Sequence, residues 1–111
     1  MKLTIHQVDA FTDRLFGGNP AAVCPLDTWI SDDLMQSIAV ENNLSETVFF
    51  VKEGDAYHIR WFTPATEVKL CGHATLASAY VLFNLMEVDC NPIHFTSLSG
   101  SLFVKQEEDG A

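Results

Sequence analysis

Short stretches of this sequence bring together residue types that can move a proton on a small acid. Ser45-Glu46-Thr47 sets a carboxylate between a polar turn and the apolar run Val48-Phe49-Phe50. A carboxyl group in that setting is partly desolvated, which suits it to general acid and base work, although a glutamate at a strand start is also an ordinary surface charge. Gly72-His73-Ala74 opens a long apolar segment, and the first turn of a helix offers unpaired N–H groups and the positive end of its dipole to an anion. A carboxylate or enolate oxygen fits there. Gly72 allows close approach to the backbone, and His73 can donate a hydrogen bond or shuttle a proton. The plainer reading of Gly72-His73 is a strand break and helix cap. Asn19, after Gly17-Gly18 and before Pro20, either offers its side-chain amide to a polar substrate group or is an ordinary turn residue.

Cys71 stands at the same helix start, where a thiolate is stabilised, so it is the alternative acid/base; a buried, inert thiol is the plainer assignment. His6, His58 and His94 are isolated within strands and lie in no metal-ligand spacing, so no metal is expected. Gly17-Gly18 lacks the third glycine and the following helix of a dinucleotide fingerprint, and neither a phosphate loop nor a zinc pattern occurs. Chemistry by protein acid and base groups, with no cofactor, is what remains.

The elements that must position these groups follow from periodicity and breakers. Alternation over residues 2–8, with Leu3 and Ile5 inward, predicts an opening strand, and residues 20–26 a second. Ser31 as N-cap, Asp32 and Asp33 in the first turn, and Leu34, Met35, Ile38 and Ala39 on one face predict a helix over 32–42 that stops at Asn42-Asn43. Residues 47–53 and 56–63 form a hairpin about Gly54-Asp55, Pro64 ends it, and 67–70 is a short extended piece. The segment 74–86 is apolar around nearly its whole circumference and must be surrounded by protein, most simply by strands curled about it. Residues 93–98 and 101–106 pair about Ser99-Gly100, and Glu108-Asp109-Gly110 is a further turn signal with no return strand after it. Phe11, Phe16, Trp61 and Phe62 are expected as core and cleft-wall aromatics.

Composition narrows the function classes. The chain has 111 residues, of which 48% are hydrophobic and 19% charged, as in one globular domain, but that is short for an enzyme with an enclosed site. Six Lys and Arg against fifteen Asp and Glu give a net charge of −9, which repels phosphate backbones and anionic lipid, so neither nucleic acid nor a membrane surface is expected as a partner. The uncharged run from Leu70 to Met86 is too polar and too short for a bilayer span. Three cysteines, Cys24, Cys71 and Cys90, with no close pair and no signal-peptide run, predict a reduced, cytoplasmic protein.

Asp9-Ala10-Phe11-Thr12, Phe16 to Val23, Asn43 to Thr47, Arg60-Trp61-Phe62-Thr63-Pro64 and Leu70 to Ala77, in this order, resemble the PhzF-like family of phenazine biosynthesis-type isomerases, from about residue 3 to the end. The resemblance implies an α+β fold similar to diaminopimelate epimerase. In that fold two pseudo-symmetric lobes, each a bent, mostly antiparallel sheet or half-barrel round a central helix, enclose the site between them, and an outer helix is added here. Residues 1–111 match one N-terminal lobe. The resemblance further implies that Glu46 is the acid/base, that Asn19, Gly72, His73 and Ala74 line the substrate site, and that the isomerases of the family work without cofactor. The related cysteine-dependent epimerases and racemases look similar at Cys71, but carry Asn-Gly or His-Gly where this chain has His73-Ala74. The expectation is one half of an isomerase or epimerase site for a small carboxylate, completed by a second lobe or a second copy of the chain. A non-catalytic module for small acids or for protein association is the alternative, and Cys71-dependent epimerisation a further one.

Overall fold

The run Val48-Phe49-Phe50-Val51 shows no polar alternation because both faces of its strand are covered: Val48 and Phe50 join one apolar cluster and Phe49 another. The computed structural model describes residues 3–8, 21–69, 72–89 and 92–105, with only the backbone at 72 and 73. Its strands are β1 (His6–Val8), β2 (Ala21–Leu26), β3 (Glu46–Glu53), β4 (Ala56–Phe62), β5 (Glu67–Val68), β6 (Ile93–Ser97) and β7 (Gly100–Val104). They form one sheet in the order β1-β2-β3-β4-β6-β7, with β5 also on β4. β2/β3 and β4/β6 pair in parallel and the other pairs are antiparallel.

A parallel pair needs a crossover, and a helix supplies each one. The crossover from β2 to β3 is α1 (Asp32–Asn42), and the crossover towards β6 contains α2 (Gly72–Tyr80) and a π-helical turn, Val81–Leu85. Met35 and Ala39 of α1 pack with Cys24, Phe49 and Phe62 on one face of the sheet. Ala74, Ala77, Ala79, Val81 and Leu82 pack on the other face against Val23, Val48, Phe50, Ile59, Trp61 and Phe95. The fold is α+β, and the mixed, mostly antiparallel sheet is uncurled. With a helix against each face it buries both sides without closing into a half-barrel.

Local sequence explains the boundaries. Ser31 accepts the Leu34 N–H at 3.1 Å, and Asn43, in the left-handed region at φ 51°, ends α1 with its N–H on Ala39 O. Gly54, at φ +67°, makes the turn between β3 and β4. β1 is shorter than residues 2–8 predict, and Ile5 is 45% exposed. His6 pairs with Val23, so the same register would set Ile5 opposite Cys24 and Thr4 opposite Pro25, which has no N–H to donate to a longer ladder.

The helix expected to be surrounded is covered on one side only. Leu76, Tyr80, Leu85 and Met86 are 43–52% exposed, because α2 rests on a single face of an open sheet. It also widens at Val81, where Met86 N–H reaches back five residues to Val81 O, and Asn84 Nδ2 donates to Tyr80 O. Among the described residues no helix is long and apolar enough to cross a membrane.

Candidate functional site

The topology brings Glu46 and the start of α2 to one end of the sheet. β2 and β3 are parallel and begin there, at Ala21 and Glu46. β4 is antiparallel to β3 and ends there, and Val8, at the end of β1, pairs with Ala21. The chain then turns through Thr63–Thr66, closed by Thr63 N–H to Thr66 O at 2.8 Å and held to α1 by Gln36 Nε2 on Thr63 O at 2.9 Å. β6 runs parallel to β4, so its turn to β7 lies at this end too, and there Ser99 Oγ donates to the carbonyl of Lys69 at 2.7 Å. That bond ties down the approach to α2, whose first residue, Gly72, is three positions on.

Glu46 is the first residue of β3, and Asn42 Nδ2 on Thr47 Oγ1 at 3.2 Å links the end of α1 to this strand start. Alternate strand residues share a face, so Glu46 lies with Val48 and Phe50 on the side covered by α2, about 6.6 Å along the strand from Val48. Its Oε1 is buried with no hydrogen-bond partner, the one such side-chain atom among the described residues. Buried polar atoms are almost always paired, so an unpaired buried carboxylate oxygen stands out as free to take a proton or accept a donor. Ala74, in the first turn of α2, is fully buried on the same face. Trp61, opposite Val48, donates from Nε1 to Thr75 Oγ1 at 3.0 Å. The first turn of α2 and the carboxylate of Glu46 are thus brought to the same face and the same end. The backbone places Gly72 and His73 in that turn, while Asn19 and Cys71, like Phe11, Phe16 and the turn expected at Glu108, lie outside the described residues.

The other buried side-chain polar atoms among the described residues are paired. Arg60 grips Glu67 through two bonds of 2.8 Å and Asp32 through one of 2.9 Å, and lies over the rings of Trp29 and Phe62. The Arg60 hydrogen bond, reinforced by its charge, lowers the Asp32 pKa, and the two carboxylates raise that of Arg60. His58 Nδ1 meets Thr96 Oγ1 at 2.8 Å and His94 Nε2 meets Ser101 Oγ at 3.0 Å. Cys24 is fully buried, and desolvation pushes its thiol up to about 12, so this cysteine is structural. Among the described residues no three metal-ligating side chains gather.

A groove of about 650 Å³ lies at the opposite end of the sheet, where Lys52, Tyr57, Leu85 and Met86 help to line it, and it does not include Glu46 or the start of α2. Sequence reasoning placed Trp61 among the aromatics but missed its tie to Thr75. The signal was present, since a buried indole N–H needs an acceptor.

The comparisons agree with this architecture. The family profile of phenazine biosynthesis-like proteins matches residues 8–111. An uncharacterized isomerase of Pseudomonas aeruginosa is 57% identical over 109 residues, covering 98% of this chain and 42% of that protein. The human phenazine biosynthesis-like domain-containing protein is 50% identical over 118 residues, covering 99% of this chain and 41% of its own length. Among solved structures, a phenazine biosynthesis protein of the PhzF family from Enterococcus faecalis superposes with a TM-score of 0.91 at 56% identity, over 97% of this chain and 42% of that one. A predicted epimerase from Pseudomonas aeruginosa does so with a TM-score of 0.78 at 27% identity, over 90% of this chain and 36% of that one. The chain therefore spans about two-fifths of the length of these relatives, and it belongs to the PhzC-PhzF family of phenazine biosynthesis-like proteins.

Proposed function

We propose that this chain carries one half of the site of an isomerase or epimerase that moves a proton on a small carboxylate-bearing metabolite in the cytoplasm, using protein groups and no cofactor. The observation that carries the reading is the buried, unpartnered Oε1 of Glu46 on the face of α2. In this mechanism Glu46 takes a proton from a carbon next to, or conjugated with, the substrate carboxylate. The C–H pair moves into an enolate, whose oxygen is held by the N–H groups of residues 72–74 and the dipole of α2. The proton then returns from Glu46 to another carbon or, for an epimerisation, a second acid from the other half of the site protonates the opposite face while Glu46 passes its proton to solvent and that acid regains one, so nothing is consumed. His73 and Asn19 line the substrate.

The isomerase names of the relatives support the reaction class, and their greater length supports a second lobe, or a second copy of this chain, as the other half of the site. The exposed Leu76 and Tyr80 on α2 favour a second reading, an association module with the same fold. The test is to incubate the protein in D₂O with a panel of amino, hydroxy and unsaturated carboxylic acids and to follow loss of C–H signals. Exchange that disappears in Glu46→Gln supports proton transfer by this residue. Equal exchange in Glu46→Gln overturns the assignment, and loss in Cys71→Ser instead would move the role to the cysteine.

A further inference from the structure

In the proposed mechanism the first turn of α2 holds the anion, so whatever fixes that turn over the sheet fixes the site. The face α2 turns to the sheet is built from small residues, Ala74, Ala77 and Ser78, each at most 1% exposed. Small side chains let helix and sheet approach closely, but they interdigitate little and resist sliding or rotation weakly. Ser78 adds no tie through its hydroxyl proton, since Oγ donates to Ala74 O within the helix at 2.9 Å.

Trp61 behaves differently. It is 1% exposed, cross-strand from both Val48 and Val68, and its Nε1–H donates to Thr75 Oγ1 at 3.0 Å with Thr75 itself 4% exposed. A hydrogen bond is directional and short-ranged, so this one fixes what the alanines leave loose. Its two ends are well placed for that. Thr75 lies in the first turn of α2, and Trp61 faces Val48, two residues along β3 from Glu46.

We propose that the Trp61–Thr75 hydrogen bond is the positioning contact of the site. It sets the height and rotation of the first turn of α2 over β3 and β4, and so holds the amides of residues 72–74 in register with Glu46. The purpose of the contact rests on the proton-transfer reading, whereas its existence rests on the buried geometry alone. A displacement of about 1 Å in such an arrangement lowers turnover on the order of 100-fold.

Thr75→Val removes the acceptor at nearly constant shape, Thr75→Ser keeps it, and Trp61→Phe removes the donor. Amide hydrogen exchange followed by NMR is expected to lose about tenfold or more protection at residues 74–80 in Thr75→Val. The amides of β2 and β3 stay unchanged, and the Trp61 indole N–H resonance moves. Thr75→Ser restores both signals, and Trp61→Phe reproduces the loss in α2. Unchanged α2 protection in Thr75→Val overturns the proposal, as does an equal loss in α2 and in β2–β3 or a failure of Thr75→Ser to rescue. These readouts need no turnover, so they stand even if Glu46→Gln exchanges substrate protons as well as the parent and the proton-transfer reading falls. Where turnover is measured, Thr75→Val lowers it about 100-fold with Thr75→Ser near the parent, and equal turnover in Thr75→Val and the parent refutes the positioning role.

Discussion

Glu46 and Glu67 are both half-buried carboxylates at strand starts, near the same end of one sheet, yet their surroundings are opposites. Glu67 lies on the face covered by α1 and receives two bonds of 2.8 Å from Arg60, which also holds Asp32. Glu46 lies on the face covered by α2 and leaves Oε1 buried and unpaired. A carboxylate gripped at both oxygens by a guanidinium gives up an ion pair when it takes a substrate proton, whereas an unpaired buried oxygen has no such bonds to lose. The α1 face is built for cohesion and the α2 face holds its polar group in reserve.

The largest expected effect separates the two carboxylates directly. Glu46→Gln is expected to lower substrate proton exchange by about 10²- to 10⁴-fold, with little change in the urea midpoint, while Glu67→Gln lowers the midpoint and leaves exchange near the parent. Reversed phenotypes would break the contrast. The next effect compares packing. Phe49→Ala, in the core under α1, is expected to cost about 3–5 kcal/mol in denaturant unfolding, and Leu76→Ala on the exposed side of α2 to stay within about 0.5 kcal/mol. A large loss at Leu76 in the isolated chain would mean that the exposed side of α2 is already covered in solution.

Smaller still is the ionic cluster. Arg60→Met leaves the half-buried Glu67 without its partner, at a cost of about 1–2 kcal/mol, while the exposed Asp32 returns to water. Because Arg60 lowers the folded-state pKa of Asp32, the contribution of that pair is complete above about pH 4 and fades as the pH falls through the depressed folded value. Urea midpoints measured between about pH 5 and pH 2 should therefore fall less steeply in Arg60→Met than in the parent, and parallel curves would remove the pair from the account.

Most of the fold was legible because local signals and global packing agree. Ser31 caps the helix start it was read as capping, Asn43 takes the left-handed turn that ends it, and Gly54 makes the hairpin. Two readings failed for reasons that lie across the sheet. The period-2 pattern at Leu3 and Ile5 is genuine, but the ladder stops at His6, and the same register carried on would set Thr4 opposite Pro25, which has no N–H to donate. The all-round apolarity of residues 74–86 correctly marks a core helix, yet circumference alone does not say how many sides this chain itself covers. Of the site, the carboxylate and the helix start could be picked out as residue types with suitable neighbours. Their meeting at one end depends on the antiparallel run of β4, which no local window contains, and the Trp61–Thr75 tie depends on a pairing fourteen residues apart.

In the proposed function the substrate acid sits at Glu46 and the start of α2, although Arg60 is the most obvious cation for a carboxylate to seek. An NMR titration of the ¹⁵N-labelled protein with benzoate as a small carboxylate tests this directly. Amide shifts concentrated at residues 46 and 72–75, with Arg60 and Trp29 unmoved, are the predicted result. Shifts concentrated at Arg60 and Trp29, with residues 72–75 silent, would contradict it.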